Sequence, residues 1–112
     1  MEQNNIYKVE FLPAALYDIT EITSSFVMLG SKTGALRIKD KINHAVSQIS
    51  TFPYMGITVP YKGLEKASYR MIIIEQYLLF YRIFLDEQKI IIYRMLNGKT
   101  NYPQLLRRIK AE

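Results

Sequence analysis

The sequence predicts an α+β protein of order β-α-α-β-β-β, in which an antiparallel sheet packs against an N-terminal two-helix hairpin. Three observations carry that expectation. Two stretches, 14–29 and 38–52, repeat apolar residues at helical spacing. The stretch "SYRMIIIEQYLLFYRIFLDEQKIIIYRML" is rich in β-branched and aromatic residues and is broken twice by polar segments of hairpin length. A chain of 112 residues has room for one hydrophobic core and little for a second, so 1–112 is expected to be a single domain.

Residues 6–12 alternate, with Tyr7, Val9 and Phe11 on one face and Lys8 and Glu10 on the other, the pattern of a half-buried strand. Pro13 ends it. Ala15, Ile19, Ile22, Phe26 and Leu29 then recur at helical spacing, with Asp18 and Glu21 toward the positive N-terminal end and Gly30 as the stop. After "GSKTG", the residues Ile38, Ile42, Ala45, Ile49 and Phe52 form the seam of a second helix, which Pro53 closes. Two such helices with a short connection make a hairpin whose apolar side needs a sheet to cover it. The segment "YMGITVPYKGLEKA" has no sustained period and reads as a loop over the sheet. Strands follow at 69–74, 77–85 and 89–96, joined by Glu75-Gln76 and Asp86-Glu87-Gln88 into a meander. Asn101 and Pro103 cap and open a short terminal helix at about 103–110.

Composition narrows the function classes. With 49% apolar and 22% charged residues the chain resembles ordinary soluble domains, and no apolar run approaches the roughly 20 residues of a membrane span. "MEQNNIYKVE" lacks the positive and then apolar character of a secretory signal, and there is no cysteine, so a cytoplasmic protein without disulfides or thiolate metal sites is expected. A net charge of +5 and a pI near 9.5 favour acidic partners, whether nucleic acid or protein.

No cofactor or metal is expected. The one histidine, His44, lies beside the helical seam with no second ligand of its kind, and Ser24, Ser25 and Ser47 lack a base and a strained turn. Walker and dinucleotide-binding glycine patterns are absent. By alternation Arg70 shares a face with Ile72 and Ile74, Arg82 with Leu78, Phe80 and Phe84, and Arg94 with Ile90, Ile92 and Leu96. An arginine among large apolar neighbours must reach water, an acid or a partner, so each is a recognition candidate beside the plainer alternative of a local ion pair. Metal-free RNA cleavage needs a base, cations for the phosphorane and an acid, for which Lys62, Lys66, Arg70, Arg94, Lys99 and Tyr102 offer cations and one phenol.

The order of elements, the "FP" and glycine of "TFPYMG", and above all "YLLFYRIFLDEQKIIIYRMLNGKTNY" resemble the RelE/ParE superfamily of bacterial toxin-antitoxin toxins. The resemblance covers nearly the whole chain. It implies a growth-inhibiting toxin of a type II module, of the kind that stabilises plasmids, neutralised in a hetero-oligomer by a cognate antitoxin. RelE-like members cut messenger RNA on the ribosome, whereas ParE-like members inhibit DNA gyrase. Carried over to this chain, a nuclease would use Arg70, Arg94 and Tyr102 as catalytic residues. Lys62, Lys66, Arg82, Lys99, Arg107 and Arg108 would bind the target or RNA.

The departures bear on which branch applies. Nucleases of the superfamily commonly keep an arginine at the position of Leu78, a histidine at that of Asn97 and a second cation at that of Thr100. Loss of one guanidinium stabilising a charged transition state can cost about 10²-fold or more in rate. "YLLFYR", residues 77–82, is instead similar to ParE-like members, which tilts the expectation toward action by binding gyrase. Ribosome-dependent RNA cleavage and a non-toxic basic interaction module are the alternatives.

Overall fold

The computed structural model describes residues 6–59 and 68–109, and the expected target contacts Lys62 and Lys66 lie outside them. Strand β1 (Lys8–Phe11) leads into helix α1 (Pro13–Met28) and helix α2 (Lys32–Thr51). A 3₁₀ turn (Pro53–Met55) and a two-residue strand β2 (Ile57–Thr58) follow. The meander is β3 (Arg70–Ile74), β4 (Tyr77–Phe84) and β5 (Lys89–Asn97), and helix α3 (Tyr102–Arg107) ends the described chain.

Pro13 at the start of α1 supplies a helical φ where no backbone donor is needed. At the other end Gly30 takes φ +85, with Gly30 N–H on Val27 O and Ser31 N–H on Phe26 O, a paired closure open to glycine because it has no Cβ. Ser31 caps α2 by accepting from Gly34 N–H at 2.9 Å. The short, tightly closed connection leaves the helices little choice but to run back along each other.

The sheet is five-stranded and mixed, in the order β1-β5-β4-β3-β2. It departs from the expected antiparallel sheet of four strands in two places. β1 runs parallel to β5, which the long connection between them allows and a tight hairpin would not; β2 adds a short antiparallel edge within the stretch expected to be loop. One face carries Ile74, Tyr77, Leu79, Tyr81, Ile90 and Ile92 against Ala15, Ile38, Ile42, Ala45 and Ile49 of the helices. The other carries Met71, Leu78, Phe80, Ile91, Tyr93 and Leu96, and α3 lays Tyr102 and Leu106 on it.

Both helical seams stop earlier than their spacing suggests. Leu29 and Phe52, the last members, are 85% and 66% exposed, since each stands at a helix C-cap and leaves the buried stripe. A bulge also breaks the alternation expected of β5. Phe80 pairs with Arg94 and Tyr81 with Ile92, so Tyr93 is the extra residue, and Met95 rather than Leu96 shares the helix-facing side with Ile90 and Ile92.

Candidate functional site

The three arginines that emerge among apolar sheet residues are engaged in three different ways. Arg94 Nε donates to Asp18 Oδ2 at 2.7 Å and its Nη2 to Oδ1 at 2.9 Å. Asp18 is buried and also accepts Met95 N–H at 3.0 Å. Sheet geometry explains this third bond. β1 reaches only to the partner of Ile92, so the edge of β5 beyond it would be bare, and α1 crosses there with an acceptor. Asp18 therefore belongs to a buried ion pair and not, as its place in the sequence suggests, to the helix N-terminus. The hydrogen bond from Arg94 to Asp18 holds the guanidinium pKa above its ordinary value, so Arg94 is a fixed cation.

Arg70 Nη2 donates to Gly56 O at 2.6 Å and Tyr54 O at 3.0 Å, with its guanidinium 5.1 Å from the centre of the Tyr54 ring. Tyr81 Oη donates to Pro53 O at 2.6 Å and accepts from Gly56 N–H at 3.1 Å. Burial pushes the Tyr81 phenol pKa up, which keeps it a donor. A Cβ on Gly56 would stand 2.5 Å from Tyr81 Oη and 2.8 Å from Met71 O, so the glycine of "FPYMG" is a packing requirement.

Arg82 points to the face away from the two helices. Its guanidinium lies 5.1 Å from the Phe84 ring centre and 5.8 Å from that of Tyr93, and its Nη1 donates to Tyr93 Oη at 3.4 Å. Tyr102 is buried on this same face, its ring 5.1 Å from that of Phe80. Register places the backbones of Arg70 and Arg94 in neighbouring rows, opposite Tyr81 and Phe80. Arg70 ties down a turn and Arg94 pairs with Asp18, while the ring of Tyr102 packs on the sheet face opposite the helices.

The substituted positions have clear structural uses. Leu78 is buried in the cluster that contains Tyr102 and Leu106. Asn97 closes the last turn, its Oδ1 accepting Lys99 N–H at 2.9 Å and its O accepting Thr100 Oγ1 at 2.7 Å. Lys99, Arg107 and Arg108 are exposed at this end of the chain. Among the described residues no group of His, Asp and Glu is placed to hold a metal ion.

A second surface lies on the outer side of the helical hairpin. Leu16, Tyr17, Val27, Met28, Leu29 and Leu36 are each about half exposed or more. A groove of 620 Å³ runs between α1 and α2, floored by Val27, Met28, Ala35 and Leu36 and flanked by Lys32 and Lys39, with no acid in its lining. The space between the helices and the sheet is the closed core, so this outer side is the free apolar surface of the hairpin. Apolar residues standing off the two seams, such as Met28 and Leu36, were the available signal.

The chain matches the sequence model of a family described as the ParE toxin of the type II toxin-antitoxin system parDE, over residues 9–102. No curated protein matches it in sequence. Among solved structures it is similar to a chain of the chromosomal ParDE toxin-antitoxin system of P. aeruginosa, with TM-score 0.66 at 18% identity, covering 84% of this chain and 98% of that one. It is also similar to a chain of the RelBE2 toxin-antitoxin complex of Mycobacterium tuberculosis, with TM-score 0.58 at 18% identity, covering 82% and 98%. At that identity the structural likeness speaks for the fold.

Proposed function

The chain belongs to the ParE toxin family of type II toxin-antitoxin systems, and from that premise we propose that it arrests growth by binding a macromolecular target, DNA gyrase, rather than by cutting RNA. The observation that supports this choice is that Arg70 and Arg94, the two candidate catalytic cations, are each engaged with protein oxygens. General acid-base cleavage needs its groups within hydrogen-bond reach of one phosphate. Here two candidate cations already hold protein oxygens, and arginine or histidine is replaced by Leu78 and Asn97.

The cognate antitoxin is the second part of the proposal. The hairpin groove joins exposed apolar side chains to Lys32 and Lys39, which suits an acidic amphipathic segment that folds as it docks. Such a complex would reside in the cytoplasm as a hetero-oligomer. Among the described residues no helix is long and apolar enough to cross a membrane.

Induction of the chain in cells, with RNA ends sequenced in parallel with a gyrase supercoiling assay on the purified protein, tests this. Growth arrest with inhibited supercoiling and intact message is expected. Message cut on ribosomes, with cutting abolished by Tyr102→Phe, would instead establish the nuclease. Absence of any arrest, with partner binding retained, would leave an interaction module.

A further inference from the structure

On the sheet face opposite the helical hairpin, Arg82 is a cation held in position with no counter-charge among the described residues. Its guanidinium is held between two rings, Phe84 on its own strand and Tyr93 on β5, and Tyr69 meets Tyr93 edge-on at 5.3 Å, bracing that ring. Among the described residues its Nε is buried with no acceptor, and no carboxylate reaches it. Buried arginine donors are ordinarily satisfied.

Glu10 and Glu87 are committed elsewhere. Glu10, Ile91 and Arg82 form one row across β1, β5 and β4, which puts Glu10 two strand spacings, about 10 Å, from Arg82. Glu10 turns instead to Lys89 at 3.8 Å, and Glu87 holds the same lysine at 2.9 Å. Arg94, by contrast, has its carboxylate at 2.7 Å. Among the described residues, then, one sheet arginine has an acid and another is prepared but unmatched.

We infer that Arg82 is the docking point for a carboxylate on a protein target, with Phe84, Leu85 and Tyr93 receiving the apolar side chains beside it; this rests on the proposed action by target binding. A guanidinium held beside two rings has already lost much of its rotamer freedom, so little more is lost when a carboxylate bonds its Nη groups, Nε being buried, and arginine with aromatic neighbours is the composition of interface hot spots. A hollow of 380 Å³ adjoins it, lined by Ile83, Phe84, Leu85, Asp86 and Glu87. That rim decides the partner class. A nucleic-acid backbone crossing Arg82 would carry several phosphates past Glu10, Asp86 and Glu87, whereas a single carboxylate on an apolar protein surface brings one charge and meets less of that repulsion. The face is also separate from the hairpin groove assigned to the antitoxin.

The test compares the wild-type chain, Arg82→Gln and Arg82→Lys in three measurements: arrest of growth on graded induction, affinity for the co-encoded antitoxin, and retardation of labelled single-stranded RNA and duplex DNA. Arg82→Gln is expected to weaken arrest by roughly 30-fold or more in the dose required, the loss typical of removing one member of a desolvated charge pair. Arg82→Lys should recover only part, because an ammonium neither stacks nor binds in two points. Both variants should bind antitoxin like wild type, which also reports that they are folded. Arrest by Arg82→Gln at the wild-type dose overturns the inference while leaving the toxin reading intact. Loss of antitoxin binding by both variants overturns it too, by making Arg82 structural or part of the antitoxin site. Retardation of RNA or DNA that depends on Arg82 assigns the position to phosphate and overturns the carboxylate. No arrest by the wild-type chain removes the toxin reading, and this inference with it.

Discussion

Replacing Asp18 by asparagine would leave the Arg94 guanidinium partly buried with nothing to balance it, and would weaken the acceptor that closes the free edge of β5. Breaking one side of such a pair is costly because the surviving charge cannot return to water without moving the strand, so Asp18→Asn is expected to lose about 3 kcal/mol in urea unfolding. A double change, Asp18→Asn with Arg94→Met, should lose less than Asp18→Asn alone, since no charge is then stranded. Equal losses in the single and double variants would mean that the backbone bond to Met95, and not the ion pair, is what Asp18 provides. Gly56 allows a companion measurement. Alanine there would set a Cβ 2.5 Å from Tyr81 Oη, so Gly56→Ala should cost about 2 kcal/mol, with Tyr81→Phe a little less through the unpaired Pro53 carbonyl. A Gly56→Ala chain as stable as wild type would show that the turn can open without Arg70 and Tyr81 holding it.

At the level of elements, the two-residue turn between β3 and β4 is tied to α2 by charge. Glu75 takes φ +57, a conformation most residues avoid, and its carboxylate accepts from Arg37 Nε at 2.9 Å with Lys41 at 3.2 Å. The hydrogen bond from Arg37 brings its pKa from 4.5 to about 2. A depressed carboxylate contributes stability that is present above its unfolded pKa and is lost as pH falls through its folded one. The contribution should accordingly be full at pH 6 and fade from about pH 5 to pH 2, and solvent screening of its exposed partners limits it to about 1 kcal/mol. The difference in unfolding free energy between the wild-type chain and Glu75→Gln, followed over that range, should shrink toward zero. A constant difference would place the effect in the turn geometry. The same element scale shows why some features were legible in the sequence and others were not. The seam Ile38, Ile42, Ala45 and Ile49 and the alternation of Tyr77, Leu79 and Tyr81 are local periodicities, and they located both helices and the meander. The parallel pairing of β1 with β5, the bulge at Tyr93 and the bond from Asp18 to Arg94 join residues far apart in sequence, where no local period exists to announce them. The candidate nuclease residues were individually visible as Arg70, Arg94 and Tyr102. What each one holds was not, because that depends on which carbonyl, carboxylate or ring the side chain finds after the sheet has formed.

Across the described molecule the hairpin groove and the Arg82 face lie on two sides, so that under the proposed reading antitoxin capture and target contact would be separable by kinetics. The hairpin groove offers Met28, Val27 and Leu36 for burial and Lys32 and Lys39 for attraction. Rim charges act at long range and mainly accelerate encounter, while buried side chains mainly slow escape. Lys32→Gln with Lys39→Gln should therefore lower the association rate for the antitoxin several-fold at low salt, flatten its dependence on ionic strength and leave the dissociation rate nearly unchanged. Leu36→Ala or Met28→Ala should instead raise the dissociation rate, with about 1 to 2 kcal/mol lost per side chain if the antitoxin buries it fully. None of these four substitutions touches Arg82, so each variant should still arrest growth without antitoxin and escape neutralisation with it. Stopped-flow or surface-based kinetics at two salt concentrations would distinguish the two classes. A dissociation rate that rises with the lysine changes, or one that ignores Leu36 and Met28, would move the antitoxin off this groove.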